Sequence, residues 1–204
     1  KTMFFNPRSN IRLLHAVPDA PAVDVYIDNR RIASNLAFKN ITDYIKIRPG
    51  RYRIEIYPAG ERRNAVLRDN IYIGPRSIST VAVKGRLNNP GLLQISDPDN
   101  NPRQNTSYFR LVHLSPNAPA IDVKLNQKTI FRGVNYQNVT RYIPVDPKTY
   151  NINIFKAETE NRVLRIQNAV LQSRFYYTLF VLGLVNKQPP LQGIIPLDGR
   201  YKFI

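Results

Sequence analysis

Residues 12–27, R-L-L-H-A-V-P-D-A-P-A-V-D-V-Y-I, decide how this chain is built, because the stretch occurs twice. It returns 98 residues later, at residues 110–125, as R-L-V-H-L-S-P-N-A-P-A-I-D-V-K-L, with nine of the 16 positions identical. His15 and His113 are the only histidines in the chain of 204 residues, and they occupy the same place in the two copies. The sequence therefore predicts a duplicated folding unit.

From Ile11 onward, apolar and polar residues alternate with a period of two. The clearest case is residues 51–57, where Tyr52, Ile54 and Ile56 fall on one face and charged residues on the other. Such alternation is typical of a half-buried antiparallel strand. Turn signals such as Pro49-Gly50 separate about seven strands in each copy, and no helical period is present. We therefore expect an all-β chain of two tandem antiparallel β-sandwiches.

The repeat also predicts the domain boundaries. Residues 11–97 form the first sandwich and residues 108–199 the second. Residues 1–10 are an N-terminal extension, and residues 200–204 are a strand-like C-terminal tail. Residues 98–107 are polar and contain two prolines, which is typical of a semi-stiff linker. Residues 175–184 are apolar on both faces of a predicted strand, so we expect both faces to be covered.

The composition excludes several classes of protein. The chain has no cysteine, which rules out disulfides and thiolate metal sites. No apolar run approaches the roughly 20 residues of a membrane-spanning helix, so we do not expect a transmembrane protein. The net charge of +16 divides evenly, with +8 on residues 1–105 and +8 on residues 106–204. This charge fits either a solvated surface or a polyanionic partner such as an acidic cell-surface polymer.

We find no catalytic, cofactor or metal site in the sequence. His15 and Asp24 would suggest a general base and its partner, but strand parity places them on different faces. No nucleophile elbow or Gly-rich phosphate loop is present, and residues 97–100 contain only a fragment of a calcium loop. We therefore interpret the repeated motif residues as structural: Arg12, His15, Pro18, Pro21 and Asp24, with Arg110, His113, Pro116, Pro119 and Asp122.

Arg12 and Asp24 recur as Arg110 and Asp122, and we interpret them as charges that fix ladders or turns. If exposed, each would contribute only about 0–1 kcal/mol. Tyrosines interleaved with arginines could stack nucleobases, but they also fit a strand with one solvated face. Because no nucleic-acid motif accompanies them, nucleic acid is not the expected partner.

The motif R-x-x-H-x-x-P-x-A-P-x-[VI]-D-V is followed in both copies by N-[IV]-T-x-Y-I, at residues 40–45 and 138–143. Together they resemble a bacterial family of domains of unknown function whose members often carry tandem copies. The resemblance implies Ig-like or prealbumin-like sandwiches on secreted or envelope proteins, including those of spore-forming bacteria. It implies no catalytic residues.

The leading hypothesis is a non-enzymatic structural protein of the cell surface or extracellular space. Its copies would assemble into an envelope, spore-surface or filament layer by exchanging terminal strands. The candidate interface residues are Phe4, Phe5, Tyr201, Phe203 and Ile204. The alternative is a binding module that uses basic strand faces to hold an anionic glycan or another polyanion.

Overall fold

The computed structural model describes residues 8–199 of the chain. The chain divides between Asp99 and Asn100 into two compact units, each built from two β-sheets. The all-β sandwich prediction is confirmed. Within the described residues, no helix is long and apolar enough to cross a membrane.

The described part of the first unit, residues 8–99, contains eight strands. They are β1 (Ser9–His15), β2 (Val23–Ile27), β3 (Arg30–Leu36), β4 (Ile45–Ile47), β5 (Gly50–Pro58), β6 (Leu67–Ile73), β7 (Ile78–Arg86) and β8 (Asn89–Asp97). One sheet has the order β4-β1-β7-β8, and the other has the order β3-β2-β5-β6. The edge strands β3 and β4 therefore belong to opposite sheets.

The second unit repeats this plan. Its strands are β9 (Ser107–His113), β10 (Ile121–Leu125), β11 (Lys128–Val134), β12 (Ile143–Val145), β13 (Lys148–Lys156), β14 (Arg162–Leu171), β15 (Tyr176–Leu182), β16 (Gln192–Ile194) and β17 (Leu197–Asp198). One sheet has the order β12-β9-β15-β16, with β17 also paired to β15, and the other has the order β11-β10-β13-β14.

Two details differ from the sequence prediction. The described part of each unit has eight or nine strands rather than about seven. One pairing in each unit is parallel, β1 with β7 and β9 with β15, so these sheets are mixed rather than purely antiparallel. The alternation of side chains depends on burial of one face and is the same for both strand directions, so it could not reveal the parallel pairs.

The strand faces that the sequence assigned to the interior form the core of each unit. Val25, Ile54 and Ile56 are fully buried in the first unit, as are Val123, Ile152 and Ile154 at the equivalent places in the second. All seven residues of β15 are buried, which confirms that this strand is covered on both faces.

Both units begin earlier than the apolar pattern indicated. Ser9 starts β1 inside the predicted extension, and Ser107 starts β9 inside the predicted linker. Each serine is fully buried and donates its hydroxyl to a backbone carbonyl, Ser9 to Gly74 at 2.7 Å and Ser107 to Gln172 at 2.6 Å. A pattern of apolar residues cannot indicate that such serines are buried, because hydrogen bonds rather than hydrophobicity allow their burial.

Candidate functional site

Each histidine of the repeated motif bridges the two ends of its own proline-containing turn. The Val17 amide donates to Nδ1 of His15 at 3.3 Å, and Nε2 of His15 lies 3.0 Å from the Pro21 carbonyl oxygen. Because Nδ1 accepts, Nε2 carries the proton and donates. His113 contacts the Ser115 amide and the Pro119 carbonyl in the same way, at 3.3 and 3.1 Å. Both nitrogens of each ring are thus occupied by backbone groups.

The protonation state of the two rings fits this role. Burial lowers the pKa of His15 and of His113 below the ordinary value, although the bond to the proline carbonyl acts in the opposite direction. A neutral imidazole has one donor and one acceptor nitrogen, which is the set that the turn requires. The prolines Pro18 and Pro21, with Pro116 and Pro119, lie in these turns. The contacts are those of structural residues.

Asp24 also binds backbone groups rather than the histidine. Its Oδ1 accepts from the Asn35 amide in β3 at 2.8 Å, and its Oδ2 accepts from the Gly60 amide at 3.3 Å. Arg31 lies 3.6 Å from the same carboxylate. Asp122 repeats the pattern in the second unit, with the amides of Gly133 and Glu158 at 2.7 and 3.3 Å. Each aspartate therefore ties two separate segments to the second strand of its unit.

Arg12 is fully buried, so the small contribution expected of an exposed charge does not apply to it. Its Nε donates to Thr80 Oγ1 at 2.8 Å, and Thr80 donates to Asp97 Oδ2 at 2.6 Å. The Tyr44 hydroxyl donates to the same carboxylate oxygen at 2.6 Å. The guanidinium carbon lies 4.5 Å from the centre of the Tyr44 ring, within range of a cation–π interaction.

The second unit contains the same network around Arg110. Its Nε donates to Thr178 Oγ1 at 2.7 Å, and the guanidinium lies 4.4 Å from the centre of the Tyr142 ring. Thr178 and Tyr142 both donate to Asp198. Thr80 and Asp97 were not among the residues interpreted as structural, whereas Tyr44 is the tyrosine of the repeated N-[IV]-T-x-Y-I motif. A signal was nevertheless present, because Thr80 and Thr178, like Tyr44 and Tyr142, are separated by the 98 residues of the repeat.

The one acidic position that differs between the motif copies is also explained. Asp19 accepts from Arg86 Nε at 2.7 Å and from the Leu87 amide at 2.9 Å. At the equivalent place, Asn117 exchanges two hydrogen bonds with the backbone of Val185, at 3.0 and 2.9 Å. Both side chains bind the loop that follows the central strand, β7 or β15. The aspartate occurs in the unit in which Arg86 can pair with it.

Each unit has an open groove between two of its edge strands, one from each sheet. In the first unit it encloses about 610 Å³ between β3 and β4. Its floor is apolar, formed by Ile27, Ile32, Ile45 and Ile47 with the ring of Tyr52. Its rim carries four cationic side chains and one acidic one, namely Arg30, Arg31, Lys46, Arg48 and Asp28.

The cations of this rim differ in their partners. Arg31 is the one that lies near Asp24. Arg30, Lys46 and Arg48 are exposed and form no ion pair with any residue in the described range 8–199. Asp28 uses its Oδ1 to accept the Arg53 amide at 2.9 Å. The groove therefore presents three unneutralised positive charges beside an apolar floor.

The groove of the second unit lies at the equivalent place, between β11 and β12, and encloses about 640 Å³. Its floor is similar, but its rim carries only two lysines and Asp146. Lys148 lies 3.5 Å from the Asp146 carboxylate and 5.3 Å from the centre of the Tyr150 ring. The net rim charge is about +1, against +3 in the first unit.

In each groove a tyrosine of the long strand binds the backbone of one rim residue, at equivalent places in the two units. The Tyr52 hydroxyl donates to the backbone carbonyl of Arg48 at 2.8 Å, and the Tyr150 hydroxyl donates to that of Asp146 at 2.9 Å. Burial, followed by the nearby Asp146 carboxylate, raises the pKa of Tyr150, while the bond to the carbonyl opposes the change. Residues 48 and 146 therefore have matched backbone positions and opposite side-chain charges.

The predicted assembly residues Phe4, Phe5, Tyr201, Phe203 and Ile204 lie outside the described residues. Within residues 8–199, no group of three or more histidine, cysteine or acidic side chains is placed to hold a metal ion. The sequence pattern does not predict the grooves, because their walls come from segments that are separated along the chain.

A family model described as a domain of unknown function (DUF4397) matches residues 9–124 and again residues 107–195. The chain belongs to this family. The two DUF4397 matches begin at Ser9 and Ser107, the first residues of β1 and β9. The resemblance to a family of domains of unknown function is thus confirmed. No curated protein sequence matches the chain.

Two solved structures are distantly similar. One is the carbohydrate-binding module CBMbc (family CBM26) of Amy13K from Eubacterium rectale, crystallised with maltoheptaose. It is 12% identical with a TM-score of 0.28, and the match covers 93% of this chain and 95% of that one. The other is a leucine-rich repeat protein from Bacteroides thetaiotaomicron, 12% identical with a TM-score of 0.23, covering 89% and 26%. Likenesses this distant assign neither a ligand nor an activity to this chain.

Proposed function

We propose that the chain is a non-enzymatic binding module for an anionic glycan, which the groove of the first unit holds. The observation that carries this proposal is the set of three exposed cations, Arg30, Lys46 and Arg48, around one apolar groove. These three side chains form no ion pair with any residue from 8 to 199. Guanidinium groups bind carboxylates, sulfates and phosphates through paired hydrogen bonds, and an ammonium group adds a mobile point charge.

The shape of the groove favours a glycan over a single-stranded nucleic acid. Non-specific nucleic-acid binders stack successive bases on a series of exposed aromatic rings. The groove holds one tyrosine, Tyr52, whose hydroxyl is already bonded to a backbone carbonyl. An apolar floor beneath a charged rim suits a ligand with apolar faces and acidic substituents, such as the pyranose rings of an acidic polysaccharide.

The contacts of the repeated motif support a role without catalysis. Both ring nitrogens of His15 and of His113 contact backbone groups, so neither ring is left to act as a general base. The conspicuous residues of the motif instead hold turns and strands together. We propose a site of action at the cell surface or outside the cell, where acidic polysaccharides are abundant. Fractionation of the producing cells would test this location.

Binding is tested with the full chain on an immobilised heparin-like polysaccharide, with neutral dextran as the negative matrix. In the triple variant R30Q/K46Q/R48Q we expect the affinity to fall by about 10- to 100-fold, because each lost charge removes roughly 0.5–1 kcal/mol. The matched control is R63Q/R132Q/R141Q, which removes the same charge from exposed positions outside the groove. We expect the control to lose less than about threefold.

Equal losses in the two triple variants would overturn the proposal, since retention would then follow the net charge alone. The same binding measurement is made with a single-stranded oligonucleotide that carries the same charge as the polysaccharide. Tighter binding of the oligonucleotide than of the polysaccharide would contradict the choice of a glycan.

Self-assembly into a surface layer is the second candidate. Among the described residues, β8 is an edge strand of nine residues whose only sheet partner is β7. Such an edge can pair with a strand from another copy. Sedimentation of the full chain and of a chain lacking residues 1–7 and 200–204 tests the role of the terminal residues. Two monodisperse monomers would exclude assembly by strand exchange.

A further inference from the structure

The duplicated grooves differ mainly in the charge of one rim residue whose backbone is held in the same place. Tyr52 binds the carbonyl of Arg48, and Tyr150 binds the carbonyl of Asp146. Each tyrosine lies on the long strand that follows the turn, β5 or β13. Because a hydroxyl-to-carbonyl bond does not involve the side chain at 48 or 146, the position tolerates either charge without a change of backbone support.

The rest of the rim changes in composition but keeps its net charge of about +2, because the replacement of Asp28 by Asn126 and of Gly50 by Lys148 offsets the loss of two cations. Lys46 is replaced by Pro144, and Arg31 by Thr129, while Lys128 stands at the place of Arg30. The positive charge that Lys148 adds is held next to Asp146 at 3.5 Å. By contrast, the apolar floor is kept, with Ile32 and Ile130, and Ile45 and Ile143, at equivalent places.

We infer that the side chain at this tyrosine-bound turn decides which groove accepts an anionic ligand. Arg48 makes the first groove selective for anions, and Asp146 excludes anions from the second. This inference rests on the proposed binding function. The Asp146 carboxylate acts in two ways. It repels an incoming anion directly, and it pairs with the Lys148 ammonium group, which is then less available to a ligand. The second groove is then left for uncharged, hydroxyl-bearing ligand segments, for which Gln127 and Thr129 offer an amide and a hydroxyl.

The first measurement is the site of binding in the unmodified chain. A sulfated tetrasaccharide is added to the isotope-labelled full chain, and backbone chemical shifts are followed. We expect the shifts to cluster at residues 45–48 and Tyr52 and to leave residues 143–146 and Tyr150 unchanged. Equal shifts in both grooves would overturn the inference, although the proposed function would stand.

The second measurement is a transfer of the site. D146R is added to R30Q/K46Q/R48Q, in which the first groove has lost its charge. We expect affinity for the tetrasaccharide to rise by about three- to tenfold over the triple variant. The perturbed residues should now be those around Tyr150.

The control for net charge is E61R, added to the same triple variant at an exposed position outside both grooves. If E61R restores as much affinity as D146R, net charge rather than groove position governs binding, and the inference fails. If the triple variant itself binds as tightly as the unmodified chain, the proposed function fails instead. Thermal unfolding of each variant verifies that both units remain folded.

Discussion

Arg12 and Thr80 are joined by a buried hydrogen bond of 2.8 Å that spans 68 residues of the chain. Arg110 and Thr178 repeat it at 2.7 Å with the same separation. In each unit the arginine lies on the first strand and the threonine on the central strand beside it, in the parallel pair of the mixed sheet. The aspartate that completes each network comes from near the end of the unit. The network therefore links the beginning, the middle and the end of each unit.

Removal of the buried arginine should destabilise its own unit. We expect Arg12→Ala to lower the free energy of unfolding of the first unit by roughly 3–5 kcal/mol, because it leaves the Asp97 carboxylate buried without its cation. Arg110→Ala should do the same to the second unit. Denaturant unfolding measures both changes, and the exposed Arg63→Ala should stay within about 0.5 kcal/mol of the unmodified chain. A loss for Arg12→Ala no larger than that of Arg63→Ala would contradict this account.

The two histidines should make the folded state sensitive to mild acid. Burial lowers their pKa in the folded state below the ordinary value near 6.5. Between the folded and unfolded values the unfolded chain binds more protons, so stability rises with pH in that window. The stabilisation is complete above about pH 6.5 and is lost as the pH falls through the lowered folded value.

We therefore expect the unmodified chain to lose more stability between pH 7 and pH 5 than the double variant His15→Gln/His113→Gln. Unfolding curves at three or four pH values measure the difference. If the free energy of unfolding changed equally with pH in the two proteins, the pKa of the two histidines would be the same in the folded and unfolded states, and this account would be wrong.

Asp19 should contribute a small stabilisation that depends on its charge. Burial alone would raise its pKa, but hydrogen bonds from Arg86 and from the Leu87 amide outweigh that effect and lower it. The contribution is therefore complete above the unfolded pKa and is lost as the pH falls through the folded one. Asp19→Asn keeps an acceptor for Leu87 and loses the charge-assisted bond, so we expect a cost of about 0–1 kcal/mol at pH 7.

At pH 2.5 the difference between Asp19→Asn and the unmodified chain should shrink. Denaturant unfolding at the two pH values measures it. A cost that is the same at both pH values would show that the charge of Asp19 plays no part.

Tyr150 reports on the carboxylate of Asp146 without any ligand. Burial is the first cause of its raised pKa, and the nearby carboxylate is the second. We expect Asp146→Asn to bring the pKa of Tyr150 down towards its ordinary value, because the phenolate then forms without a neighbouring negative charge. The absorbance of ionised tyrosine is followed with pH in proteins with and without the substitution Tyr150→Phe, and the difference between the two curves gives the titration of Tyr150. An unchanged titration would place the carboxylate too far from the ring to govern the charge of the groove.

Several features could be predicted because they are local or repeated. The duplication was visible in residues 12–27 and 110–125, and the period of two predicted the inward faces of Val25, Ile54 and Ile56. Strand parity predicts different faces for His15 and Asp24, since a one-residue change of parity moves a side chain to the opposite face, and the two side chains bind different backbone groups. The site residues at 48 and 146 were also aligned by the repeat, but nothing in their neighbours along the chain indicated a groove.

The sequence by itself determined the all-β class, the two copies and the core faces, because alternation and repetition are properties of neighbouring residues. Only the tertiary structure decided that Arg12 is buried, because its partners Thr80 and Asp97 lie far along the chain. The same holds for the grooves, since β3 and β4 belong to opposite sheets and meet only when the sandwich closes. The repeated motif that organises the chain is therefore its framework, and the side chains that distinguish the two units lie on the rims of the grooves.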